Sequence, residues 1–257
     1  MRLAAFVPES DGGKVKLIFR PLVGFTLVCL SIFALLVGLG LWQLERLNWK
    51  LRLIEQMNRN LAAAPISLNA ALALGDQHAQ YRRVMLKGRF EHSKENYLYT
   101  TGPEGGAAYH LLTPLLTDDG RAMLIDRGYL PATMRDPAFR PGSEPQGEVA
   151  VIGVWRTPDR PGPFTPAPDF AHRIWFARDV AGIARADDLR LAAPAILEAT
   201  MPRNARGWPR GGQTRVDLPN DHLQYALTWF LLAGALAVAY VAYHYAHGGL
   251  SFGNGRR

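Results

Sequence analysis

Two uninterrupted apolar runs frame the chain, and between them the hydrophobic period changes from helical to alternating. Between Arg20 and Glu45 lie 24 residues without a charge, "PLVGFTLVCLSIFALLVGLGLWQL". As a helix rising about 1.5 Å per residue they reach about 36 Å, enough to cross a bilayer. Between Asp221 and His244 lie 22 more, His222 followed by "LQYALTWFLLAGALAVAYVAY", which reach about 33 Å. The pattern therefore predicts transmembrane helices over 21–44 and 222–243. After the first, "ERLNWKLRLIEQMNRNLAAAPISL" keeps Leu47, Leu51 and Ile54 at three- and four-residue steps. That spacing predicts an amphipathic stalk continuing to Pro65.

From Tyr81 the pattern becomes short alternating runs separated by turn residues. In "RRVMLKGRF", Val84, Leu86 and Gly88 share one face, and "ENYLYT", "YHLLTPLLT" and "RAMLIDRGYL" follow at the intervals of a meander. "TDDG" links the last two as a hairpin turn, because Asp-Gly accepts the positive φ of tight turns. "GEVAVIGVWRT", "HRIWFA" and "PAILEAT" predict further strands. "TPDRPGPFTPAPDF", with five prolines in 14 residues, reads as a structured surface loop. "ARDVAGIARAD" predicts a short helix with Asp179 at its start, where an acid suits the helix dipole. The fold expected is an α+β membrane protein: a tail (1–20), the first span (21–44), a stalk helix and β-rich extracytoplasmic domain (45–221), the second span (222–243) and a second tail (244–257).

Composition refines this picture at three points. The first apolar run is longer than a cleaved signal peptide allows, so it reads as an uncleaved anchor. Glu9 and Asp11 sit among the basic residues of the first 20, which does not suit a mitochondrial transit peptide and favours a bacterial inner membrane. The only cysteine, Cys29, lies inside the first span, which excludes an internal disulfide and any site built on several thiolates. The formal charge of +7 accompanies no recognition motif, and nucleic-acid binding is not expected. Charge does not settle orientation: Arg46, Lys50, Arg52 and Arg59 follow the first span, and Arg203, Arg206, Arg210 and Arg215 precede the second. Long loops translocate largely regardless of charge, so cytoplasmic tails and a periplasmic domain are compatible with this distribution.

No phosphate-binding loop, G-x-S-x-G elbow or H-E-x-x-H helix is present, so no catalytic residue is assigned. The glycine-rich "GPEGGAAYH" falls between strands and reads as a turn. His78, His92, His110 and His172 each have acids available for acid–base chemistry, but spacing along one chain does not show which of them meet.

The span ends are more informative. His222, Tyr225, Ala226 and Trp229 fall at i, i+3, i+4 and i+7, one stripe of a helix, and Leu39, Trp42 and Arg46 form another stripe at the same membrane surface. A porphyrin between such stripes would take His222 as metal ligand, Tyr225, Ala226, Trp229 and Trp42 as walls, and Arg46 or Arg215 against its carboxylates. An interfacial belt of Trp and Tyr accounts for the same aromatics with no ligand at all.

Five segments in order, "GLWQLERLNWK", "YRRVMLKGRF", "YHLLTPL", "DGRAMLIDRGYLP" and "NDHLQYALTWF", together with the two terminal spans, resemble the Surfeit locus protein 1 family of cytochrome c oxidase assembly factors over nearly the whole chain. The resemblance implies a non-enzymatic chaperone in the membrane that binds haem a transiently and aids its insertion into oxidase subunit I, with haem a synthase as a further partner. It implies that His222 is the haem ligand, and that Tyr225, Trp229, Trp42, Gln43 and Arg46 stand at motif positions around it. Gly88, Arg127, Gly128 and Pro131 also match motif positions in the β domain. As residues they read as packing glycines and a strand-ending proline. Asp126 and Asp221 stand where many relatives have Asn, and Tyr129 where Trp is common. The other reading is a cofactor-free scaffold that holds subunit I; a membrane-anchored hydrolase would need a triad the sequence does not display.

Overall fold

The computed structural model describes residues 16–102, 105–159, 161–202, 207–212 and 220–253. Glu9, Asp11, Arg203, Arg206 and Arg215 lie outside the described residues. The chain divides into two compact units, Met1–Arg52 with Leu218–Arg257, and Leu53–Asp217.

In chain order the elements are β1 (Lys16–Phe19), α1 (Val23–Ala62), β2 (Ile66–Ser67), α2 (Leu68–Leu74), α3 (Asp76–Ala79), β3 (Arg83–Phe90), β4 (Asn96–Thr101), β5 (Ala107–Leu116), β6 (Ala122–Pro131), β7 (Glu148–Arg156), β8 (Ile174–Trp175), α4 (Val180–Ala186), β9 (Leu191–Met201), α5 (His222–Ala246) and β10 (Leu250–Gly253). The two predicted spans fall in α1 and α5, of 40 and 25 residues, both long and apolar enough to cross a membrane. The first span and the stalk form one unbroken helix that stops before Pro65, whose ring cannot continue it. Ser67 then caps α2, accepting a hydrogen bond from the Ala70 amide at 3.2 Å.

In the first unit α1 and α5 run antiparallel. Thr26 Oγ1 and Tyr240 OH meet at 2.8 Å near one end, and Gln43 and His222 meet at 2.8 Å near the other. About 26 Å of helix separates these polar clasps. Small buried residues lie between them: Cys29, Gly40, Ala226 and Ala233. A Cβ at Gly40 would come within 2.6 Å of the Phe230 ring, so the absence of a side chain permits the close approach. Beyond Phe19, β1 pairs antiparallel with β10, Lys16 opposite Gly253.

The second unit is a closed barrel with extensions. Strands β3, β7, β9, β6 and β5 pair in sequence around it, and β3 returns to β5 at Arg89↔Leu116 and Phe90↔Leu115. Val84, Leu86, Leu115, Met123, Ile125, Trp155 and Leu197 form its buried core. Each fully buried aliphatic side chain contributes about 1.5–3 kcal/mol relative to exposure. Leu112, Leu124 and Ile196 belong to a second cluster, packed with Val180 and Ile183 of α4. Strand β6 is buried on both faces from Ala122 to Asp126, which explains its nearly continuous apolar run.

The predicted strands and short helix are present, and Asp179 caps α4 by accepting from the Gly182 amide at 2.8 Å. The "TDDG" turn also closes as expected, with Gly120 at φ 74°. Three features depart from the sequence expectation. Only Ile174 and Trp175 of "HRIWFA" are strand. "PAILEAT" is part of an 11-residue strand that begins before Pro194. The ladder between β6 and β9 shifts register between the Ala122↔Leu191 and Leu124↔Ile196 pairs, so Pro194 sits where the ladder is irregular and its missing N–H is tolerated. The order is also no simple meander, because β9 inserts between β6 and β7 and runs parallel to β6. Long-range pairing of this kind leaves no local sequence signal.

Candidate functional site

His222 is the first residue of α5, and Asp221 precedes it as N-cap residue. Its Nδ1 donates to Gln43 Oε1 of α1 at 2.8 Å. A carbonyl oxygen only accepts, so Nδ1 carries a proton, and in the neutral ring Nε2 is then the nitrogen with the lone pair. Among the described residues Nε2 has no protein partner. One face of α5 thus turns toward α1 as the stripe predicts, with Ala226 buried and Trp229 half-buried. Among the described residues the buried Trp229 indole N–H has no acceptor and the buried Asn220 Oδ1 no donor.

The partner face of α1 differs from the predicted stripe by one residue. Gln43 and Gly40 meet α5, whereas Trp42 is half exposed. Arg46 is exposed and lies over the Trp49 ring, 4.5 Å from its centroid. Tyr225, although on the stripe, is also half exposed. Successive residues on a helix are turned by about 100°, so Trp42 and Gln43 do not share a face. The structure thus brings His222 and Gln43 together, with Ala226 buried and Trp229 half-buried on the same stripe of α5, and leaves Trp42, Tyr225 and Arg46 largely exposed. Arg215, the other proposed carboxylate partner, lies outside the described residues.

In the β domain, the motif residues serve the barrel. A Cβ at Gly88 would lie 2.2 Å from the Leu116 carbonyl oxygen, at the seam where β3 meets β5. At Gly128, φ is 117° and a Cβ would lie 2.1 Å from the Arg210 carbonyl oxygen. That closeness allows Tyr129 and Arg210 to exchange backbone hydrogen bonds at 2.9 and 3.0 Å. Arg127 lies over the Phe90 ring, pairs with the buried Glu95 at 3.1 Å and donates to the Ser143 carbonyl. Arg140 pairs with the other oxygen of Glu95. Burial pushes Arg127 down to about 10, against the opposing pull of Glu95, so the guanidinium stays charged at neutral pH. Pro131 ends β6.

His92, Glu95 and Glu144 lie close enough to share a cation. Both Glu95 oxygens already face guanidinium groups, and His92 Nε2 is 3.1 Å from the Pro145 carbonyl, so this cluster is an ion-pair network. Of the other histidines, His172 pairs with Asp169 on the surface and His78 is exposed. His110 is the one drawn into a cavity, its Nδ1 2.9 Å from the buried Asp126 carboxylate. The sequence contains both residues but no signal that they meet.

An antiparallel pair of membrane-length helices joined at a histidine, in one chain with a closed β barrel, defines a class of two-helix proteins carrying a single β domain. The SURF1 family profile matches residues 30–234, and this chain belongs to the SURF1 family. Surfeit locus protein 1 of Takifugu rubripes is 33% identical over 229 residues, 83% of this chain and 94% of the relative. Surfeit locus protein 1 of Homo sapiens is 35% identical over 214 residues, 77% of this chain and 70% of the relative. The SURF1-like protein of Drosophila melanogaster is 36% identical over 244 residues, 88% and 78% of the two chains.

Proposed function

We propose that this protein is a non-enzymatic assembly factor for the haem-copper cytochrome c oxidase, binding haem a at the α1–α5 pair and aiding its insertion into subunit I. The observation that carries this reading is the His222 imidazole in a SURF1-family chain, held through Nδ1 by Gln43, with no partner for Nε2 among the described residues. Haem supplies an iron that accepts an imidazole nitrogen. His222 offers that nitrogen and Gln43 orients the ring. The two apolar helices support insertion in a bilayer. We assign that bilayer to a bacterial inner membrane, with the barrel in the periplasm, both tails in the cytoplasm and haem a synthase as a further partner.

The test is the haem absorbance of the protein purified from cells that make haem a. His222→Ala is expected to lose most of it, and equal haem in variant and wild type would sink the assignment. A reporter fused near Gly120 is expected to be active only outside the cytoplasm; cytoplasmic activity reverses the topology.

The second reading, a cofactor-free scaffold for subunit I, draws on Phe139, Phe164 and Phe170, exposed on loops of the β domain, with Phe164 96% exposed. Such aromatics favour a protein partner. It predicts that His222→Ala keeps both subunit I association and oxidase haem content, while Phe164→Ser loses association. "DRGYLP" is a poor place to test docking, because Asp126 and Leu130 are buried and disrupting the segment would unfold the barrel.

A further inference from the structure

Strands β6 and β9 continue past Leu124 and Ile196 to place Asp126 and Glu198 two residues further along, on the same sheet face. There they line a cavity of about 370 Å³ together with His110, Arg156, Arg178 and Arg210. All three carboxylates at this cavity are already matched. Asp126 holds His110 at 2.9 Å, Glu198 holds Arg178 at 2.9 Å and Arg156 at 3.2 Å, and Asp159 holds Arg178 at 2.7 Å.

One guanidinium and one imidazole nitrogen are left over. The exposed Arg210 guanidinium lies over the Trp208 ring, 4.2 Å from its centroid, and has no carboxylate partner among the described residues. His110 turns Nδ1 to Asp126, and its Nε2 has no protein partner among the described residues. The Asp126 carboxylate raises His110 above its ordinary range, so the ring keeps a second proton to higher pH and Nε2 is then a donor. Beside these donors stand Tyr99 and Phe176, with ring centroids 5.6 Å apart, as an aromatic wall. A guanidinium without a carboxylate partner next to an aromatic wall suits an anion on a flat apolar body.

We propose that this cavity is a binding site for a small organic carboxylate with a flat apolar body, the carboxylate taken by Arg210 and His110 Nε2 and the body by Tyr99 and Phe176. The site lies wholly within the β domain and does not depend on ligand binding at His222.

The test is ¹⁹F relaxation of 4-fluorobenzoate titrated into the full chain in lipid nanodiscs, with 4-fluorobenzylamine as the cationic analogue. Saturable binding of the carboxylate at one site is expected, with no saturable binding of the amine. Arg210→Gln weakens binding at least tenfold and Arg210→Lys restores part of it. The Arg210 side chain is exposed and its bonds to Tyr129 are backbone ones, so Arg210→Gln keeps those bonds and gives up the stacking on Trp208. His110→Gln, which keeps a donor for Asp126, weakens binding less. No saturable binding of 4-fluorobenzoate, equal binding of the amine, or unchanged affinity in Arg210→Gln overturns the proposal.

Discussion

His222 Nδ1 lies 2.8 Å from Gln43 Oε1, joining residues 179 positions apart in the sequence. The bond fixes both the tautomer and the plane of the imidazole. Groups that orient a metal-binding histidine in this way typically account for 10–100-fold in affinity. Gln43→Leu is therefore expected to lower haem affinity of the purified protein by about that factor, and Gln43→Glu, which keeps an acceptor, to retain most of it. Haem titration followed by absorbance checks this; wild-type affinity in Gln43→Leu removes the orienting role.

The barrel seam predicts an asymmetry among glycines. Gly88→Ala pushes a methyl group toward the Leu116 carbonyl, which is backbone and has little room to move. A loss of about 1–3 kcal/mol or more is expected. A Cβ at Gly162 would meet only Thr165 Oγ1 at 3.8 Å, so Gly162→Ala is expected to be nearly neutral. Denaturant midpoints of the two variants provide the comparison, and similar losses in both would mean the seam is less tight than the geometry indicates.

The buried Glu95 holds two guanidinium groups, from Arg127 and Arg140. Replacing it by Gln strands two buried cations, a type of change that costs about 3–5 kcal/mol. Glu95→Gln is expected to lower the denaturant midpoint of the β domain sharply. A midpoint within error of wild type would show that water reaches those guanidinium groups.

His110 gives a pH dependence of defined sign. Its folded pKa is raised, mainly by the Asp126 carboxylate. The ion pair's contribution to stability is thus fully present below the unfolded value of about 6.5, and is lost as pH rises through the higher folded value. The stability advantage of wild type over His110→Gln should be largest in mildly acidic buffer and shrink as the pH rises. Urea midpoints measured across that range test it, and an advantage independent of pH would count against the coupling.

The two long apolar helices, the barrel strands and the Asp179-capped helix could be read locally, because charge-free length, two-residue alternation and a capping acid are properties of short segments. Gly88 and Gly128 stood out as residues, yet their reason did not: a missing Cβ matters only because the Leu116 and Arg210 carbonyls approach from distant parts of the chain. The stripe through His222 was also legible, while its counterpart on α1 was placed on Trp42 and Arg46 where the structure presents Gln43. Trp42 and Gln43 are neighbours in the middle of α1, and which of them meets α5 depends on how α1 is rotated about its axis. That rotation follows from packing, with Gly40 admitting the Phe230 ring. The sequence by itself thus determined the two long helices, the principal barrel strands and α4, with the residues that share a face within each. Tertiary structure alone decided the insertion of β9 beside β6, the meeting of His110 with Asp126 and the choice of Gln43 as the partner of His222. Local periodicity sets the direction of a side chain within its own element, and only the packing of distant elements determines what that side chain meets.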